Sequence, residues 1–307
     1  MRATRRTFLG AVAASLASLR SGIANADVTS GSDIDVRDIA LPGDRSLGQR
    51  MTLVIPRKIV LSSNVPLLVL LHGLGETGDQ RMGAFAWLER YGLASAISRL
   101  YHPPIVRTTK RRDFTDEHLR AVNADLSSTP FAGFVIACPY TPNVNRAPNL
   151  KAALDGYTQW ITDVVIPRAR REASITSDPA RMAIDGCSLG GFVAIEVFLR
   201  SPQTFGALGA VQAAIGVHRA APYADRLAAV MKQHGPRGIH VETSSADPFR
   251  AANEALSAEL SKRHVAHDAI VLPGPHDQPW LREVGTLEML RWHDRRFRRA
   301  TGKHLTP

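Results

Sequence analysis

Ser188 stands at the centre of Gly186-Cys187-Ser188-Leu189-Gly190, between a short apolar run at 181–185 and a longer one at 192–199. The first run reads as a strand and the second as a buried helix. A serine at the tip of such a turn, a nucleophile elbow, is held with its hydroxyl projecting above the strand end. Gly186 and Gly190 fall where strand and helix pass closest, and a Cβ there would clash. The helix behind Ser188 aims free backbone N–H groups at any negative charge forming beside it. The chemistry is attack by a hydroxyl, which needs a base for its proton and donors for the resulting oxyanion. Average composition produces this pentapeptide by chance in roughly one chain of this length in ten, so the reading rests on partners elsewhere.

Those partners occur in a workable order. Residues 65–71 form a continuous apolar run, as in a strand buried on both faces of a parallel sheet, and lead into His72-Gly73-Leu74-Gly75. The expected oxyanion donors are the backbone N–H groups of Leu74 and of Leu189, the residue after the serine. Gly73 and Gly75 join Gly186 and Gly190 as motif glycines, and His72 is expected to pack the loop rather than transfer protons. Residues 238–243 read as a strand running into a loop with Asp247, placed to accept a hydrogen bond from an imidazole and fix its tautomer. The last strand, 268–272, is followed by Pro273-Gly274-Pro275-His276-Asp277. His276 is the expected general base. His264 and His267 precede that strand, at the wrong end of the sheet, while His293 and His304 belong to a basic C-terminal helix and tail. Asp277 is the runner-up acid, but a neighbour in sequence rarely reaches its own histidine at a useful angle. Cys187 is a conceivable nucleophile, yet Ser188 holds the central position. Trp280 reads equally as a pocket wall or as core.

The elements that must carry these residues alternate. Strands are expected at 36–41, 51–55, 65–71, 134–139, 181–185, 207–213, 238–243 and 268–272. Helices are expected at 82–100, 153–173 (kinked at Pro167), 192–199, 224–233 and 251–263. Residues 101–130 read as a surface excursion bordering the site, with Lys110-Arg111-Arg112 a solvated face. Strand alternating with helix implies an α/β fold with a mostly parallel central sheet and helices on both faces, with little or no cap domain.

Residues 1–26 read as a targeting segment. Arg5-Arg6 precedes Thr7-Phe8-Leu9 and a small, apolar run, and Ala24-Asn25-Ala26 closes it as a cleavage site. The arginine pair resembles a twin-arginine signal, an ordinary secretory signal with an incidental pair being the alternative, and Asp27 is expected as the first residue of a single mature domain, 27–307. The apolar run is short of the ~20 residues that cross a bilayer, and no later stretch qualifies. A periplasmic or secreted protein with no membrane span is expected. The formal charge is +10, four units of which are arginines of the first 26 residues. The remaining excess implies at most a weak attraction to anionic envelope polymers, and a solvated basic surface accounts for it. Zinc spacings and basic-aromatic patterns are lacking, so no nucleic acid is expected. Cys138 and Cys187 are too few for a disulfide framework and should be free and buried. No metal or organic cofactor is called for.

Leu71-His72-Gly73-Leu74-Gly75, Gly186-Cys187-Ser188-Leu189-Gly190-Gly191, Asp247 and Gly274-Pro275-His276-Asp277, in that order, resemble the α/β-hydrolase superfamily. The likeness is greatest to its esterase branch, which holds esterase D-type and feruloyl-esterase-like enzymes. Glu76-Thr77-Gly78 is also similar to the phospholipase/carboxylesterase branch, which includes thioesterases. The resemblance implies an α/β-hydrolase fold from about residue 65 to 297, Ser188 as nucleophile, and Asp247 and His276 as its partners. Pro275 is a departure, since these families often carry glycine before the histidine. The expected activity is hydrolysis of a small-molecule, polysaccharide or lipid ester through an acyl-enzyme. An envelope acyltransferase or thioesterase would use the same triad, and a non-catalytic binding protein is disfavoured by the triad's completeness.

Overall fold

The computed structural model describes residues 33–59 and 64–302; the expected signal segment, its cleavage point before Asp27 and His304 lie outside the described residues. The uninterrupted apolar runs form the middle of a sheet. β3 (Leu67–Leu71), β4 (Val135–Pro139) and β5 (Met182–Gly186) are buried at every position, and strands without a polar face need cover on both sides. β1 (Ile34–Ala40), β2 (Arg50–Pro56), β6 (Ala207–Val211), β7 (Gly238–Ala246) and β8 (Asp268–Pro275) complete the order β1-β2-β4-β3-β5-β6-β7-β8. β1–β2 and β2–β4 are antiparallel, and every other pair is parallel. The carboxyl ends of β3 and β5–β8 therefore share one edge, where open α/β sheets collect their reactive groups.

The helices of the first half are α1 (Gln80–Ala84), α2 (Ala86–Glu89), α3 (Leu93–Tyr101), α4 (Asp116–Ser128), α5 (Leu150–Trp160) and α6 (Ile166–Glu172). Those of the second are α7 (Leu189–Arg200), α8 (Ala220–His234), α9 (Arg250–Lys262), α10 (Gln278–Trp280) and α11 (Thr286–Gly302). One core layer joins α5, α7, α8 and α9 to the sheet through residues such as Tyr157, Phe198, Leu227 and Leu256. The other joins α3, α4 and α11 through Ile97, Leu126 and Leu290. No described helix is long and apolar enough to cross a membrane.

Three expectations need correction. The helix expected at 82–100 is three pieces, broken first at Phe85 (φ −96, ψ 0) and again at Gly92, which sits at φ 76 with its would-be Cβ 3.0 Å from the Arg282 backbone. A left-handed residue cannot continue an α-helix. The helix at 153–173 is interrupted by a π turn, Ile161–Val165, just before Pro167; the proline has no N–H and its ring displaces the carbonyl four residues earlier. The excursion at 101–130 holds a helix, α4, capped by Thr115, and buries Phe114, Val122 and Leu126, while Lys110, Arg112 and much of the rest stay exposed.

β7 carries a charge-bearing group into the interior. Glu242 is fully buried, and neither carboxyl oxygen has a hydrogen-bond partner among the described residues. Burial, then the nearby Glu288 and Asp185 charges, push its pKa well above the ordinary 4.5. Such a group keeps its proton in the fold. Its contribution is fully present below pH ~4.5 and is lost as pH rises toward the folded value, by up to ~1.4 kcal/mol per pH unit. The Tm difference between Glu242→Gln and the parent should therefore shift in favour of the variant over the pH range above about 4.5. A difference constant over that range would show Glu242 ionised in the fold.

Candidate active site

Ser188 is the N-cap of α7 at φ 56, ψ −118, a conformation that costs a residue with a Cβ on the order of 1–3 kcal/mol. Backbone bonds hold it there: Ser188 N–H donates to Val211 O at 2.9 Å, and Ala214 N–H donates to Ser188 O at 2.9 Å. A Cβ on Gly186 would lie 2.5 Å from the Gly190 carbonyl carbon, and one on Gly190 would lie 2.4 Å from Leu71 O. The two glycines thus let β3, the turn and α7 touch.

Three side chains from three loops meet in line. His276 Nε2 lies 3.0 Å from Ser188 Oγ, and His276 Nδ1 lies 2.9 Å from Asp247 Oδ1. With Nδ1–H donating to the carboxylate, Nε2 is free to accept from the hydroxyl. Asp247 also accepts from Thr243 Oγ1 at 2.6 Å and from Phe249 N–H at 2.9 Å. Burial pushes its carboxyl upward, but the bonds from His276, Thr243 and Phe249 outweigh this and hold it below the usual carboxylate range. It remains an ionised acceptor.

Leu74 opens a single 3-10 turn after β3, and Leu189 is the first residue of α7. Among the described residues neither N–H donates to another protein group, and both residues line the cleft that holds Ser188. Gly73 N–H donates to Tyr91 Oη at 3.3 Å, and that hydroxyl donates to the Glu76 carboxylate. Gln278 Nε2 reaches Glu76 Oε1 at 3.2 Å, so Glu76 ties this loop to the histidine loop. His72 is fully buried, with Nδ1 2.8 Å from Gly73 O and Nε2 accepting from Thr141 N–H at 2.8 Å. Burial lowers its pKa to about 4, so it is a neutral bridge between loops. Gly75 differs from the other motif glycines: a Cβ there meets nothing within 4 Å.

The remaining candidates lie apart from this line. Asp277 caps α10 through Trp280 N–H at 2.8 Å and pairs with Arg111 at 2.9 Å, leaving His276 to Asp247. Trp280 is core: it is fully buried with Nε1 donating to Pro273 O, and Leu281 lines the cleft instead. His267 is 2.8 Å from Ser257 Oγ, but its other nitrogen faces Val265 O rather than a carboxylate. His293 is buried against Asp185 at 2.8 Å, behind the sheet. Cys138 and Cys187 are free and buried, and burial pushes both thiols up, which removes Cys187 as a thiolate. Tyr91 and Gln212 were not singled out from the sequence, and Glu76 figured there only in the Glu76-Thr77-Gly78 likeness; Gln212 carries a signal, as the one long polar side chain in the small, apolar run 205–215.

The cleft over Ser188 has a volume of about 650 Å³, with Leu74, Tyr91, Asn143, Ala214, Phe249 and Leu281 among its walls. No cluster of three or more metal-ligating side chains occurs among the described residues.

No protein-family model and no curated protein matches the chain. Solved structures do. A ferulic acid esterase is 18% identical with a TM-score of 0.61, over 86% of this chain and 99% of that one. The S-formylglutathione hydrolase of Staphylococcus aureus is 14% identical with a TM-score of 0.55, over 86% and 98%. The enterobactin esterase of Shigella flexneri is 15% identical with a TM-score of 0.56, over 89% of this chain and 61% of that one. At such identities the likeness is one of architecture: the chain has the α/β-hydrolase fold.

The glycines separate by their contacts. Gly190→Ala, whose Cβ meets backbone, should destabilise by at least ~3 kcal/mol, the upper end of overpacking costs. Gly75→Ala should stay within ~0.5 kcal/mol, as a substitution touching nothing. Thermal or denaturant unfolding decides; equal losses would mean the elbow is not close-packed.

Proposed function

We propose that the protein is a serine hydrolase of carboxylic esters in which Ser188, His276 and Asp247 form a catalytic triad. The observation that carries this reading is the unbroken line Ser188 Oγ, His276 Nε2, His276 Nδ1, Asp247 Oδ1, at 3.0 and 2.9 Å. The esterase and hydrolase names of the similar structures support it, as does the cleft over Ser188.

In the first half-reaction His276 Nε2 takes the Ser188 proton while Oγ bonds to the ester carbonyl carbon. The carbonyl oxygen becomes an oxyanion facing the Leu74 and Leu189 N–H groups; one such donor is typically worth ~3–4 kcal/mol. Asp247 accepts from Nδ1–H and stabilises the imidazolium. The C–O bond to the alcohol breaks, His276 returns its proton to the leaving oxygen, and an acyl-Ser188 remains. Water then repeats the sequence, giving its proton to His276 and freeing the acid.

The Arg5-Arg6 pair and the Ala24-Asn25-Ala26 site support export through the twin-arginine route to the periplasm or beyond. The exported protein should begin at Asp27 by mass spectrometry, and an intact N-terminus would reject cleavage there.

Ser188→Ala should lower kcat for ester hydrolysis by at least ~10³-fold with little change in Tm, and a fluorophosphonate should label the parent at Ser188 alone. Asp277→Asn should lose less than about tenfold, as expected outside the catalytic unit. Full activity in Ser188→Ala, or labelling of another serine, would overturn the assignment.

A further inference from the structure

The approach to His276 is Pro273-Gly274-Pro275, and two prolines remove two of the N–H donors that would fix the end of β8 in a ladder. The ladder slips there. Ser244 lies opposite Leu272 and Ala246 opposite Pro275, so one residue of β7 faces two of β8. A bulge of this kind re-aims the side chain that follows, which is His276.

This strand end is held through its carbonyls by side-chain donors instead. Trp280 Nε1 donates to Pro273 O at 2.9 Å. Pro275 O accepts from Gln212 Nε2 and from Ser244 Oγ, both at 3.2 Å, and Gln212 Nε2 also donates to Ser244 Oγ at 2.6 Å. Gln212 comes from neither strand. It is the first residue after β6 and is 2% exposed. Its φ of 47 is left-handed, which disfavours a residue with a Cβ. Strain kept in a site is a pointer to use. Here the strained backbone aims an amide at the one carbonyl a peptide bond away from His276.

We propose that Gln212 is a positioning residue for His276, its amide N–H groups pinning the Pro275 carbonyl and the Ser244 hydroxyl so that the imidazole meets Ser188 and Asp247 together. The proposal rests on the serine-hydrolase reading above. Gln212 takes no proton and forms no bond with substrate in this role; it acts through the peptide that carries the base.

Three variants of the full chain test it in ester hydrolysis. Gln212→Leu keeps the volume and loses the donors, so kcat should fall by about 10²-fold, as for a small misplacement of a reacting group, with KM within about threefold. Gln212→Glu is isosteric but donates only when protonated, so its kcat relative to the parent should rise as pH is lowered. Gln212→Asn suits the left-handed backbone but falls one methylene short of Pro275. It should keep the parental Tm and still lose kcat as Gln212→Leu does. Parental kcat in Gln212→Leu, a Gln212→Glu ratio flat with pH, or losses that follow Tm and are restored in Gln212→Asn would overturn the proposal. Ser188→Ala, assayed alongside, separates the two readings. Its inactivity beside an unaffected Gln212→Leu rejects only the positioning role, while its full activity rejects the hydrolase reading itself.

Discussion

An imidazole held between a hydroxyl at 3.0 Å and a carboxylate at 2.9 Å leaves the loops that carry them almost no freedom. Moving any one by an ångström breaks a hydrogen bond. Ser188 follows β5, Asp247 follows β7 and His276 follows β8, so the geometry is set by the parallel register of the sheet and by how each strand ends. The chain tolerates unfavourable local structure to meet that constraint. Ser188 and Gln212 both have positive φ, and β8 bulges against β7. The contacts that over-determine these ends are short and mostly backbone, including the approach of Gly190 to Leu71 O.

The support behind the site is polar and buried. Asp185, next to the elbow, accepts from Gly186 N–H at 2.6 Å and pairs with His293 of α11 at 2.8 Å. Room for its carboxylate comes from Gly209 of β6, where a Cβ would fall 1.7 Å from Asp185 Oδ2. The C-terminal helix is thereby fastened to the strand that leads to Ser188. On the other side Glu76 links the loop after β3, through Tyr91 and Gly73, to Gln278 and the His276 loop. Removing one member of such a network strands a buried polar partner, which costs more than the bond was worth.

Much of this architecture was legible in the sequence because its signals are local. Apolar runs marked the central strands, and the glycines around Ser188 marked the elbow. The chain order of serine, aspartate and histidine placed all three at one sheet edge. What escaped depends on who faces whom. β8 runs on to Pro275, although prolines argue against a strand, because at an edge its carbonyls can be held from outside the ladder. Trp280 turned inward and Leu281 toward the cleft, a choice made by the Pro273 carbonyl. The His293–Asp185 pair joins residues 108 apart in sequence. The Gly92 break was visible as a glycine, but the apolar spacing on either side masked it. Gly75 shows the reverse case, a motif glycine for which the structure offers no steric need.

If Ser188, His276 and Asp247 work as one unit, His276 and Asp247 must be energetically coupled. The measurement is kcat for a reactive ester in His276→Ala, Asp247→Asn and the double variant. Asp247→Asn alone should cost on the order of 10³–10⁴ through the wrong tautomer and lost charge stabilisation. If the carboxylate acts only through the imidazole, adding it to His276→Ala should cost less than about threefold more. Losses that multiply in the double variant would mean that Asp247 acts on something other than His276 and that the three residues are not one unit.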